Sequence, residues 1–173
     1  GVEELWRPLV ELGELCRAYY AEALISLDRA DEAVIHNRAI ESSYIGQFGV
    51  DAPAAIVARL ALYEALDAAG RLLEVDEREF RDLLERIERT RHTSRLSAAQ
   101  VFCRFLFQQK RYDECVQFAE PVFEALGPTA LDIRAENLRR DYASSLRALG
   151  RLEEAERVLS LAERRLRELA PES

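Results

Sequence analysis

Four short segments of this 173-residue chain look alike and recur at a nearly fixed interval. Asp28-Arg29-Ala30, Gly70-Arg71-Leu72, Lys110-Arg111-Tyr112 and Gly150-Arg151-Leu152 each follow a run of apolar residues at helical spacing. Their first positions lie 42, 40 and 40 residues apart. A period in that range means one supersecondary unit used several times, each unable to bury its apolar face without a neighbour. The whole chain holds only 7 Gly and 5 Pro, so few other positions could break it.

The fourth unit is the clearest. Tyr142, Ala143, Leu146 and Leu149 share one helical face, and Gly150 suits the left-handed residue that ends such a helix. Ala155, Val158, Leu159, Ala162 and Leu166 mark a second helix. The third unit repeats this with Phe102, Cys103 and Leu106 before the turn at Lys110, and Cys115, Phe118, Ala119, Val122 and Phe123 after it. In the first unit Tyr20, Ala21, Leu24 and Leu27 precede the turn, and Ala33 and Ile40 follow. The second carries Leu62, Tyr63, Leu66 and Ala69 before Gly70, but its second helix resumes late, at Phe80, Leu83, Leu84 and Ile87. Asp51 is the expected N-cap ahead of Ala52-Pro53, Thr93 or Ser94 caps a later helix, Gly127-Pro128-Thr129 opens another, and Pro8 sits in the first turn of the earliest. No segment alternates apolar and polar residues for long, so no strand is expected.

Composition narrows the function classes. Apolar residues at 49% and charged residues at 32% fit amphipathic, water-soluble elements. No apolar stretch approaches the roughly 20 residues of a membrane helix, so no membrane partner is expected. The acidic start Gly1-Val2-Glu3-Glu4 is not a secretory leader, and the absence of any Met points to a piece of a larger polypeptide. A net charge of −8 opposes nucleic acid as the main ligand, since phosphates need a basic footprint. Arg134, Arg139, Arg140 and Arg147 are the weaker exception, and binding through them would depend steeply on salt. Three cysteines, at 16, 103 and 115, form neither a disulfide framework nor a zinc signature, which suits a reducing cytoplasm.

The pairing of a large residue with a small one in the first helix, and a small one early in the second, resembles the tetratricopeptide repeat (TPR) family. Here it reads Tyr142-Ala143, Leu146, Gly150, Ala155, Leu159; Phe102-Cys103, Leu106, Cys115, Ala119; and Tyr20-Ala21, Leu24, Ala33. Units longer than the usual 34 residues, with Ala125-Leu126-Gly127-Pro128 followed by Asn137-Leu138, look like the kinesin light chain subclass and the arrays of bacterial signalling and regulatory proteins. The second unit departs from the pattern, because bulky Tyr63 stands at the small position and a longer connection follows Gly70; a splayed pair is expected there. The resemblance implies an all-α fold, an α-α superhelix (TPR-like solenoid) of about four antiparallel helix pairs. The resemblance runs from about Pro8 to Leu169, and residues 1–173 are expected to form a single domain, with units near 8–50, 51–92, 93–127 and 128–170.

No catalytic residue, metal site or cofactor is expected. His36 and His92 have no nucleophile in a familiar arrangement beside them, and no phosphate loop, HExxH or CxxC is present. Cys103 and Cys115 replace small residues where paired helices touch, so they should be buried together as compact, inert hydrophobes. The acids of Glu77–Glu79 and Glu153–Glu156 open second helices and complement the dipole. The resemblance implies that first helices line a concave, peptide-binding groove. That projects Glu22 and Glu64 onto it from the first two units, Gln100, Arg104 and Gln108 from the third, and Asn137, Arg140, Ser144 and Arg147 from the fourth. Such a groove would be acidic at one end and rich in Arg and amides at the other, suited to carboxylates and peptide backbone. The expected function is a protein- or peptide-binding scaffold, the sensor or recruiting segment of a larger cytoplasmic regulator. Two alternatives stay open. One is a self-association module, with Leu5, Trp6, Leu9 and Leu12 as a surface for another copy. The other is an accessory repeat domain of an enzyme, such as a protease or ATPase, lying outside this sequence.

Overall fold

The computed structural model describes residues 16, 18–90, 92–126 and 133–169. Among them α1 covers residues 18–26, followed by α2 (Ala30–Phe48), α3 (Pro53–Ala68), α4 (Glu77–Thr90), α5 (Arg95–Gln108), α6 (Tyr112–Leu126), α7 (Ile133–Ala148) and α8 (Leu152–Leu169). A 3-10 turn, Leu72–Glu74, precedes α4, and the described residues contain no strand. The fold is all-α, with consecutive helices paired as α1–α2, α3–α4, α5–α6 and α7–α8. It divides into two compact units, residues 1–92 and 93–173, each described here by itself.

The four recurring segments are one backbone device. Asp28, Gly70, Lys110 and Gly150 adopt left-handed conformations, with φ of 60°, 69°, 61° and 78°. In every case the amide of the following arginine donates to the carbonyl of a leucine five residues earlier. Arg29 reaches Leu24 at 2.9 Å, Arg71 reaches Leu66 at 2.7 Å, Arg111 reaches Leu106 at 3.0 Å and Arg151 reaches Leu146 at 2.9 Å. A second bond, from the left-handed residue to the carbonyl three back, completes a Schellman motif at each turn. The helix-terminal carbonyls are thereby satisfied within three residues, leaving the chain aimed back along its partner helix.

The same arginines then clasp the next helix. Each forms a two-pronged pair with a glutamate three residues on: Arg29 with Glu32, Arg71 with Glu74, Arg111 with Glu114 and Arg151 with Glu154. Each glutamate lies in the opening turn of the following segment, where its charge also faces the positive helix end. Exposed pairs of this kind contribute little singly, roughly 0.2–1 kcal/mol. Their value is positional, because the planar guanidinium fixes the direction in which the second helix starts.

In the first unit the core is built from Ala21, Leu24, Ala33, Val34, Ile40, Ala55, Ile56, Leu66, Leu72, Phe80, Leu83 and Ile87. Buried Asn37 of α2 donates to the carbonyl of Ala61 in α3 at 3.1 Å, tying neighbouring pairs together. Asp51 is not the α3 cap: Ala52 takes that place with Pro53 next, and Asp51 pairs with Arg86 and Arg89 of α4 instead. Asp76 caps α4, accepting from the amides of Arg78 at 2.7 Å and Glu79 at 3.4 Å. Tyr63 is buried at the small-residue position, its ring 4.7 Å from that of Phe80. The 3-10 turn delays α4 so that this ring has room.

The second unit centres on Ala98, Phe102, Cys103, Phe105, Leu106, Cys115, Ala119, Leu138, Ala143, Leu146 and Ala155. Cys103 and Cys115 are both fully buried, and each thiol donates to the other's carbonyl, at 3.9 and 3.6 Å. A side-chain hydrogen bond with Cys115, together with burial, pushes the Cys103 thiol well above its ordinary range. Ser94 stands directly before α5, whereas Gly127, Pro128, Thr129 and Pro8 lie outside the described residues.

Candidate interaction site on α7 and α8

The helix α7 is fixed from two sides before it presents anything to solvent. It packs on both α5 and α6, and α8 folds back along it. Its Asp141 is buried and meets Arg104 of α5 at 3.1 Å. The Tyr142 ring lies 5.5 Å from Phe123 of α6, and its hydroxyl donates to Glu120 at 3.2 Å. Burial, with Glu120 beside it, pushes that phenol up to about 12. Arg139 is buried too, pairing with Glu136 and lying 5.0 Å from the Phe123 ring centre.

These anchors sort the expected site residues. Arg104 is a half-buried ion-pair partner of Asp141. Gln100 and Gln108 are half-buried on α5, and Ser144 returns its hydroxyl to the Arg140 carbonyl at 2.8 Å. Arg140 and Arg147 are exposed, and Asn137 is half-exposed. Glu22 and Glu64 are exposed on α1 and α3 of the first unit. Of the arginines grouped for nucleic acid, Arg139 is sequestered by Glu136, which leaves Arg134, Arg140 and Arg147 exposed. Leu5, Trp6, Leu9 and Leu12 lie outside the described residues.

Asn137, Arg140 and Arg147 come together with α8 around a cavity of about 600 Å³. Its α8 wall is Leu152, Ala155, Glu156, Leu159, Ser160 and Glu163. Leu152 is 63% exposed and Leu159 37% exposed, so the wall is an apolar strip left open to solvent. Glu136 also lines the cavity; it is buried, and its Oε2 has no hydrogen-bond partner among the described residues. The cavity therefore combines an apolar floor with two exposed guanidinium groups, and the Glu136 carboxylate is buried behind it. Such a mixture suits a ligand held by shape with a few polar contacts.

Sequence reasoning missed the α8 wall because it projected only first helices. Leu159 reads as a core residue by periodicity, since its counterpart one unit earlier, Ala119, is buried. The available signal was size. A leucine where the preceding unit has alanine, and Leu152 seven residues before it on the same helix face, exceed what one helix pair can cover.

No family model matches the chain, and no curated protein matches it. Two crystal structures of a Podosopora anserina protein described as a kinesin light chain with nearly identical TPR-like repeats are similar to it. Identity is 15% in both, the alignments cover 91% of this chain and 96% of theirs, and the TM-scores are 0.45 and 0.46. A likeness that distant carries no argument about function. Among the described residues, no helix is long and apolar enough to cross a membrane, and no cluster of His, Cys, Asp and Glu could hold a metal ion.

Proposed function

We propose that this chain is a protein- or peptide-binding scaffold of the TPR-like type, of the long-repeat, kinesin light chain-like kind found in bacterial signalling and regulatory proteins. In this reading it is the sensor or recruiting segment of a larger cytoplasmic regulator, with no catalytic role of its own. The observation that carries the reading is the cavity between α7 and α8, where three of the residues expected to bind a partner meet an exposed apolar strip.

The test is capture of partners by immobilised wild-type chain and by the Arg140→Glu/Arg147→Glu variant, quantified by mass spectrometry. Both arginines are exposed, so the variant should keep its circular dichroism while losing the specific partners. A variant that captures the same set undiminished refutes the assignment of this face.

The exposed Leu152 and Leu159 favour a second reading, self-association through the same face. Light scattering separates the two readings, because a strictly monomeric chain at high concentration counts against assembly.

A further inference from the structure

The repeat itself indicates what the α7–α8 cavity is shaped to hold. Within the second unit, Glu120 and Phe123 of α6 hold Tyr142 of α7, so the α5–α6 pair offers a seat for one helix. Forty residues on, Glu120 and Phe123 correspond to Ser160 and Glu163. Gln100, Cys115 and Ala119 likewise correspond to Arg140, Ala155 and Leu159. All five counterparts line the cavity. It is the same seat one pair further along, and α7 occupies the earlier one.

The chemistry of the seat has changed between the two positions. Its floor is Leu152, Ala155 and Leu159, which asks for an aliphatic stripe. Along the α7 edge, Arg140 and Arg147 make no ion pair among the described residues. Seven residues of helix separate them by about 10 Å, the separation of two acids seven residues apart on a facing helix. On the α8 edge, Glu163 is already paired with Arg167 at 2.5 Å, whereas Glu156 is exposed.

We infer that the occupant is an amphipathic helix of a partner protein, with an aliphatic stripe on Leu152 and Leu159 and carboxylates seven residues apart facing Arg140 and Arg147. This rests on the reading that the α7–α8 face binds protein.

The experiment uses the whole chain and two synthetic, helix-stabilised 16-residue probes. One carries a leucine stripe flanked by two glutamates seven residues apart; the other has lysines in place of those glutamates. Fluorescence anisotropy should show the glutamate probe binding about tenfold more tightly, the combined effect of two partly exposed ion pairs. Arg140→Glu/Arg147→Glu should reverse that order, and Leu159→Asp should weaken both probes. Equal binding of the two probes, or no binding of either, overturns the inference. If neither probe binds while the double variant still loses its captured partners, the inference fails and the parent reading stands. A dimer that Leu159→Asp dissociates would make the occupant a second copy, and would also overturn it.

Discussion

Two of the four left-handed turn residues carry a side chain that this conformation penalises. Lys110 is the less suited, because aspartate at position 28 tolerates the region better than lysine does. A Cβ at Gly70 or Gly150 would meet nothing within 4 Å, so any penalty at these turns is backbone strain and not a clash. Lys110→Gly is therefore expected to stabilise the chain by about 0.5–1 kcal/mol, the relief of strain partly offset by a looser unfolded chain. Gly150→Lys should cost a similar amount, with urea midpoints measuring both. The arginine clasps give a second residue-scale prediction. Hydrogen bonds from Arg29, Arg71 and Arg151 hold the carboxyls of Glu32, Glu74 and Glu154 below their ordinary value of 4.5. A carboxylate depressed in the folded state lends stability that is complete above its unfolded value and is lost as pH falls through the folded one. Thermal stability should thus decline as pH drops below about 4.5, and the triple Glu→Gln variant should flatten that decline. An unchanged pH profile in the triple variant would show that the clasps contribute nothing.

Helix pairs differ in how they solve close approach. The first, third and fourth place Ala21, Cys103 and Ala143 at the contact, whereas the second inserts Tyr63 and retreats through a 3-10 turn to let Phe80 meet it. Tyr63→Ala would leave that space empty, because Asp51 pairs with Arg86 and Arg89 and opposes α4 closing in. The expected cost is about 3–5 kcal/mol, read from chemical denaturation. A cost below 1 kcal/mol would mean that the pair collapses to the geometry of its neighbours. In the third pair, Cys103 and Cys115 are sealed while Cys16 is exposed. A bulky alkylating reagent should modify one thiol quickly and the other two only at the rate of unfolding. Rapid modification of all three would contradict the packing at that contact.

At the scale of the whole molecule, the proposed recognition would fall to surface that the cores do not consume. Sequence projection gathered nine polar side chains into one groove, and the fold redistributes several of them. Arg104 is taken up by Asp141, Ser144 turns to its own helix, and Arg140 and Arg147 remain available beside an apolar strip. Reversing Arg104 would therefore set two carboxylates against each other at the α5–α7 contact and damage that packing, so it would not report on binding. Arg140→Glu with Arg147→Glu is the informative pair, with melting temperature expected to move by no more than a few degrees. Solvent-facing positions on a helix follow from its period alone, so Arg140 and Arg147 were legible. Which of them meet an acid depends on crossings between helices distant in sequence, so the fate of Arg104 was not.

The sequence by itself determined the helix pairs, since Leu-to-Arg turns and apolar periodicity act through local backbone bonds within about six residues. The positions of all four turns are written in that local code, and the apolar period places both cysteines and Tyr63 on inward faces. Tertiary structure alone decided what the local code cannot address. It set which arginine is neutralised, which carboxylate is left with an open oxygen, and which leucines of α8 stay uncovered. Those outcomes depend on the distance between side chains on different helices. A periodic pattern fixes the face a residue occupies, but not what lies opposite that face.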